Sequence, residues 1–270
     1  MKITHVADQG SVKLNEDTLL IQPPIFGVFD GATSLDKYQD DDGHTGGWIV
    51  AHLLLEAFEN AKGSLLDTLR QANNDLRDKI IAAGRDFDDS GLRWRAAGAV
   101  IKIDENEIEW VQINDCVILF VRSDGSIQVV GGPSPHEEPL LLQWQKLSQE
   151  GLGWQEIRKQ LREKMLSHRA EANKLYGVID GDPAFESFIE TGEIKRDGIT
   201  DILIFTDGFE LPKKDPKSPA DYQPMIDLYK KGGLDLILKT IRDAESSDPQ
   251  CHQYPRFKPH DDIAAIAVRL

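Results

Sequence analysis

Only two cysteines, Cys116 and Cys251, occur among the 270 residues of this chain. They lie far apart and belong to no paired-Cys spacing, which excludes a disulfide-stapled scaffold and a zinc knuckle and suits a reducing cytoplasm. Long hydrophobic runs are missing too. The opening MKITHVADQG has no apolar signal region, and the Trp48 to Leu55 stretch is broken by His52, far short of the roughly 18 residues of a membrane span. Neither export nor membrane insertion is expected. Positive charge is scarce: 31 Lys plus Arg stand against 46 Asp plus Glu, a formal charge of -15. With no basic run to offset that balance, nucleic acid and anionic membrane surfaces are not expected partners. The sequence also lacks a Gly-x-Ser-x-Gly elbow and a phosphate-cradling loop ending in Lys-Ser or Lys-Thr, and Gly151-Leu152-Gly153 is too short for a dinucleotide fingerprint.

Apolar residues make up 40% of the chain, enough to bury a sizeable core and too many for extensive disorder. Residues 1–270 are expected to form one large domain. Strand-like runs at Thr18 to Gln22 and Ile25 to Phe29 precede two amphipathic helices, Gly46 to Ala61 and Ser64 to Ala82, the second with Ser64 and Asp67 as a capping pair. The runs AAGAVIKI, IEWVQI, VILFV and IQVV then form an antiparallel meander with short turns. A helical segment at about 139–174 looks inserted between strands. Strands follow at Leu175 to Ile179 and Asp201 to Phe205, then two helices across Met225 to Ala244 and a last strand at Ile263 to Val268. This order lacks the regular alternation of a parallel sheet and predicts an α+β fold: a central antiparallel β-sandwich flanked by helices, in α-β-β-α layers. Trp110, Trp144 and Trp154 read as packing anchors and Cys116 as core.

Asp-Gly, a common turn dipeptide, occurs at 30, 42, 124, 180, 197 and 207. Asp30 and Asp207 stand apart because each follows a buried-looking apolar run, and Asp115 ends IEWVQIN in the same way. Glu16-Asp17 and Asp261-Asp262 sit directly before apolar runs, at strand starts. Antiparallel strands bring starts and ends to the same rim, so these five sites can converge on one edge of the sandwich. Carboxylates crowded there repel one another unless cations neutralise them, and an oxygen-only donor set selects hard ions such as Mg²⁺ or Mn²⁺ over zinc. Two such ions can activate water toward a phosphoryl group. Taken singly, each Asp is as well explained by a solvated turn.

NED at 15–17, VFDGAT at 28–33, IND at 113–115, LIFTDGF at 203–209 and HDDIAAIAV at 260–268 resemble, in order and nearly end to end, the motifs of the metal-dependent, type 2C protein Ser/Thr phosphatases. The resemblance implies a β-sandwich with metals at one rim and hydrolysis of phosphoserine and phosphothreonine in proteins by a metal-bridging hydroxide. Mn²⁺ or Mg²⁺ is the implied cofactor, two ions with a weaker third site. By position, Asp30 resembles the carboxylate that bridges both metals, Gly31 a ligand through its carbonyl, and Asp207 and Asp261 the remaining direct ligands. Glu16 resembles a residue acting through water, with Asp17 in support, Asp115 resembles a ligand of the third site, and Asp262 competes with Asp261. The implied partners are a phosphoprotein substrate and a cognate Ser/Thr kinase pathway, with regulation supplied by partners because the chain ends almost at its last core strand.

Two departures from the family pattern stand out. Val12 replaces an Arg that grips the substrate phosphate, leaving Lys13 beside it as a candidate point charge, and Ala32 follows Gly31 where some members carry a His. The rival string Asp42-Gly43-His44-Thr45-Gly46-Gly47 follows polar residues that no strand can present, so Asp40 to Asp42 and His44 read as a solvated loop. Candidate catalytic residues are therefore Asp30, Asp207 and Lys13. Two other functions fit the same residues: a phosphatase-like regulatory protein that binds a phosphoprotein without turnover, and a two-metal phosphatase of small phosphorylated metabolites.

Overall fold

The computed structural model describes every residue except Ser34, Leu35 and Lys37. Two five-stranded sheets pack face to face. The first has the order β1 (Lys2–Asp8), β10 (Ile263–Arg269), β9 (Ile199–Phe205), β6 (Val117–Arg122) and β7 (Ile127–Val130). The second runs β2 (Asp17–Gln22), β3 (Ile25–Gly31), β4 (Ala96–Ile103), β5 (Glu107–Ile113) and β8 (Glu190–Lys195). Every strand pair is antiparallel. Helices α1 (Gly46–Glu59) and α2 (Leu65–Ala82) cover the second sheet, and α5 (Gln223–Ser247) covers the first. The α-β-β-α layering is that expected from the sequence.

Side-chain alternation along a strand explains why the central strands are apolar on both faces. In β3, Phe26 and Val28 enter the core between the sheets with Ala99, Ile204 and Ile266, whereas Phe29 points to the helices and stacks on Phe58 at 5.5 Å. Strand β4 is buried along almost its whole length for the same reason. The helices begin where capping side chains satisfy free N–H groups: Thr45 accepts from the Trp48 amide at 3.3 Å, and Ser64 from the Asp67 amide at 3.1 Å. Helix α5 breaks at Gly232–Gly233, with Gly233 at φ 70°, so the two helices expected there are present as two halves.

Two strands were missed by pattern reading, and one expected strand is absent. β1 and β8 are sheet edges, largely exposed and rich in charge, so they lack the apolar alternation that marks inner strands. The run Leu175 to Ile179 makes only isolated bridges, Ile179 with Ala96 and Tyr176 with Ala172, and Leu175 is exposed. The partner of β5 is β8 instead. Within 139–174, α3 (Glu138–Gln149) and α4 (Trp154–Ala170) pack on each other around Trp144, Ile157 and Leu161. The Trp144 indole N–H donates to the Cys251 carbonyl at 3.0 Å, tying this small core to the segment before β10.

Candidate metal centre

Strand register builds the site. Asp17 opens β2 and Asp30 lies near the end of β3, and the two are directly opposed, next in line after Leu19 with Val28 and Ile21 with Phe26. Those inner pairs pack against the core between the sheets, so alternation turns both carboxylates toward the facing sheet at its rim. From the other sheet, Asp207 follows β9 and Asp261 precedes β10, while Asp115 sits in the tight turn between β5 and β6, where Asn114 adopts φ 70°.

The electrostatics show how close these groups are. Burial pushes the Asp30 carboxyl well above its usual range, and the charges of Asp17, Asp207, Asp115 and Asp261 push it further. Asp17 is raised by burial and by Asp261, Asp207 and Asp262, against the pull of the Thr206 hydroxyl. Burial and Asp261 lift Asp207 to about 6, and the Asp30 and Asp207 carboxyls lie within hydrogen-bond reach of each other. Asp115 is raised by burial, Asp207, Glu137 and Glu210. Among the described residues, Asp17 Oδ2 and Asp115 Oδ1 are buried with no hydrogen-bond partner. Orphaned carboxylate oxygens, clustered and with neither Cys nor His among them, fit divalent hard cations.

Glu16 and Asp262 stand differently. Glu16 is buried and accepts from the Thr33 and Thr45 hydroxyls; burial raises its pKa and those hydroxyls oppose the rise. Asp262 accepts from the Gly10 amide at 2.7 Å through Oδ1 and from the Glu16 amide at 3.0 Å through Oδ2. Both its oxygens therefore already serve the main chain, whereas Asp261 faces the cluster. Gly31 closes β3 against the start of α1: a Cβ there would lie 2.4 Å from the Gly47 carbonyl oxygen, so only glycine allows this approach. Lys13 is exposed, outside the carboxylate cluster, and lines neither of the two cavities described below. The Asp40–His44 loop holds its own hydrogen bonds, with the Asp40 and His44 side chains 3.0 Å apart, and His44 stacks on Trp48.

Several site residues escaped sequence reasoning. Lys258 donates to Asp261 Oδ1 at 2.5 Å; although burial works against it, Asp261, Asp30 and Asp207 hold its ammonium pKa above the usual value. Glu137, just before α3, is pushed to about 8 by burial and by Asp207 and Asp261. The cluster opens into two cavities, of about 380 Å³ and 190 Å³. The larger has proline-rich walls that include Pro133, Pro212 and Pro255. The smaller joins Asp30 and Asp207 to Arg95, Arg158, His168 and Arg169. A Lys three residues before an Asp pair and a Glu before a helix are ordinary surface patterns, so no local signal distinguishes them.

Two five-stranded antiparallel sheets flanked by helices, with one acidic rim, make an α+β sandwich. The protein phosphatase 2C family profile matches residues 14–234. The chain belongs to that family, whose members are metal-dependent protein serine/threonine phosphatases. No curated protein matches it. Among solved structures, it is similar to the Mycobacterium tuberculosis serine/threonine phosphatase PstP/Ppp, with 14% identity, a TM-score of 0.58 and coverage of 100% of this chain and 98% of that one. It is similar as well to PppA of Pseudomonas aeruginosa, described as a key regulatory component of T6SS, at 16% identity and TM-score 0.58 over 99% of this chain and 96% of that one. The PstP catalytic domain in complex with two manganese ions matches at 15% identity and TM-score 0.56, covering 98% and 96% of the two chains. No helix among the described residues is long and apolar enough to cross a membrane.

Proposed function

We propose that this chain hydrolyses phosphoserine and phosphothreonine in proteins at the acidic rim, as a single domain over residues 1–270 in which the helical pair near 139–174 is an insertion beside the site. The observation that carries the reading is the convergence of Asp17, Asp30, Asp115, Asp207 and Asp261, with two buried oxygens lacking partners among the described residues. Asp30, opposite Asp17 and close to Asp207, would be the central carboxylate holding Mn²⁺ or Mg²⁺. Asp207, Asp261 and the Gly31 carbonyl would hold two such ions with it, and Asp115 would serve a weaker third site. When bound, such ions supply Lewis acidity toward a phosphoryl oxygen and lower the pKa of water.

The remaining groups position and hold protons. Thr33 and Thr45 fix Glu16, and Asp262 ties the β2 start to the segment before β10 through its two main-chain bonds. Glu137 lines both cavities together with Asp207 and Asp115, and that position makes it a candidate proton donor to the leaving alkoxide, a role Ala32 leaves open. The proline-walled cavity next to Asp207 offers room for residues flanking a phosphoresidue. A Ser/Thr kinase must supply such a substrate. Both cysteines are free and buried, which suits a reducing cytoplasm.

The test is hydrolysis of an aryl phosphate and of a phosphothreonine peptide with added Mn²⁺ or Mg²⁺. Chelator should silence both reactions and thiol-blocking reagents should affect neither, since Cys116 and Cys251 are fully buried and burial holds both thiols above their usual pKa, Cys251 at about 11. Full activity in excess chelator would overturn the metal mechanism. Turnover of sugar phosphates but not phosphopeptides would favour a metabolite substrate.

A further inference from the structure

A phosphomonoester carries about two negative charges near neutral pH, and here it must approach a rim of carboxylates. Metals offset part of that repulsion, and a side-chain cation is needed to orient the free phosphoryl oxygens. Five basic side chains line the smaller cavity: Arg95, Arg158, Arg169, His168 and Lys258. Three of them are engaged. Arg95 is buried and its two terminal nitrogens donate to the Arg169 and Ser90 carbonyls at 2.9 and 2.7 Å; its Nε has no partner among the described residues, but with both terminal nitrogens occupied it has no free fork to offer. Lys258 is bound to Asp261. His168 stacks on Tyr176 at 4.7 Å, and burial with neighbouring His136 pushes its pKa down, against the charged form.

Arg169 differs. Its Nη1 donates to the Thr33 carbonyl at 2.9 Å, and among the described residues Nε is buried with no partner and Nη2 makes no hydrogen bond. Nε and Nη2 form the side-on edge of the guanidinium, the edge that accepts two oxygens of one oxyanion in parallel. The fork is held in place from both ends. Thr33 binds Glu16 through its hydroxyl and Arg169 through its carbonyl, and the Arg169 carbonyl is itself held by Arg95. Thr33 lies three residues after Asp30, so the anchor is within about 11 Å of the Asp30 backbone. The carrier is the last turn of α4, in the inserted helical pair.

We propose that Arg169 binds the substrate phosphate through its Nε and Nη2 edge, so that α4 supplies the phosphate grip where Val12 has no charge and Lys13 faces solvent. The inference rests on the phosphatase reading above. Arg158, on the same face of α4 about three turns earlier, lines the same cavity without a fixed anchor and is the rival cation against which Arg169 is compared.

The experiment uses the Mn²⁺-loaded protein and three variants, Arg169→Gln, Arg169→Lys and Arg158→Ala. Gln keeps a donor for the Thr33 carbonyl and so protects the fold. Three quantities are read: KM for an aryl phosphate, and the affinities for inorganic phosphate and for Mn²⁺ by calorimetry. Arg169→Gln should raise KM and weaken phosphate binding by about tenfold or more, the worth of one charge-assisted hydrogen bond, and Arg169→Lys should do so less. Mn²⁺ affinity should stay within about twofold in both, and Arg158→Ala should raise KM less than Arg169→Gln does. Unchanged phosphate affinity in Arg169→Gln, an equal loss of Mn²⁺ affinity, or an effect confined to Arg158→Ala overturns the assignment. If wild-type protein turns nothing over, the phosphatase reading falls, while the phosphate titration still decides the role of Arg169.

Discussion

Lys258→Met tests the electrostatic picture of the rim directly. The ammonium bonds Asp261 at 2.5 Å, with the two side chains 19% and 32% exposed, and is the basic group that acts on Asp30, Asp207 and Glu137 as well. Removing one partner of a fully buried pair costs about 3–5 kcal/mol; with this partial exposure the expected loss is about 1–3 kcal/mol. For a domain of this size that lowers Tm by roughly 3–10 °C. The loss belongs to the metal-free protein, where the carboxylates have no other counter-ion. Added Mn²⁺ should shrink the deficit, because ions binding the folded state replace the lost charge.

The pH dependence has a definite sign. Asp207 and Glu137 rise from 3.8 and 4.5 to about 6 and about 8 on folding, so between those limits the folded state binds more protons than the unfolded state. Stability of the metal-free protein therefore falls as pH rises from about 4 to about 8. Without Lys258 the fall should steepen, making the Lys258→Met deficit larger at pH 8 than at pH 5.5. Thermal unfolding of both proteins, in chelator and in Mn²⁺ at both pH values, measures it. An identical Tm drop in all four conditions would mean that Lys258 contributes only packing, and the account of the rim as a charge cluster would be wrong.

Other outcomes follow from the same geometry. Asp30→Asn and Asp207→Asn should lower turnover by at least about a hundredfold and reduce the Mn²⁺ bound in calorimetry, whereas Asp124→Asn, an exposed hairpin residue accepting from the Ser126 amide at 2.9 Å, should stay near wild type. Equal loss in all three folded variants would remove the distinction between rim and turn. Asp261→Asn should weaken metal binding with little change in Tm, because the lost Lys258 bond is offset by relief of its repulsion with Asp17, Asp30 and Asp207. Asp262→Asn should do the reverse, losing about 1–2 kcal/mol from bonds to the Gly10 and Glu16 amides; swapped effects would reverse their assignment. Gly31→Ala forces a Cβ to 2.4 Å from the Gly47 carbonyl oxygen and should cost about 1–3 kcal/mol by overpacking, read in urea denaturation. An unchanged midpoint would show that β3 and α1 can separate freely.

The rim carboxylates were legible in the sequence because strand ends are local events. An apolar run that stops at Asp30 or Asp207, or starts after Asp17 or Asp262, marks where a buried strand surfaces, and antiparallel pairing carries such points to one edge. The same logic placed the inner strands and the capped helices α1 and α2. Edge strands β1 and β8 escaped it, because a strand with one neighbour and a wet face need not alternate in polarity. What local pattern cannot carry is direction and distance between remote segments. Asp261 and Asp262 are adjacent and chemically alike, and only the packing of β2 against the segment before β10 gives Asp262 two main-chain donors and turns Asp261 to the cluster. Lys258, Glu137 and Arg169 look like surface charges along the chain. Tertiary packing desolvates Lys258 and Glu137 beside Asp207 and Asp261 and buries Arg169 against Arg95 in a cavity shared with Asp30, and no residue possesses that burial and proximity by itself.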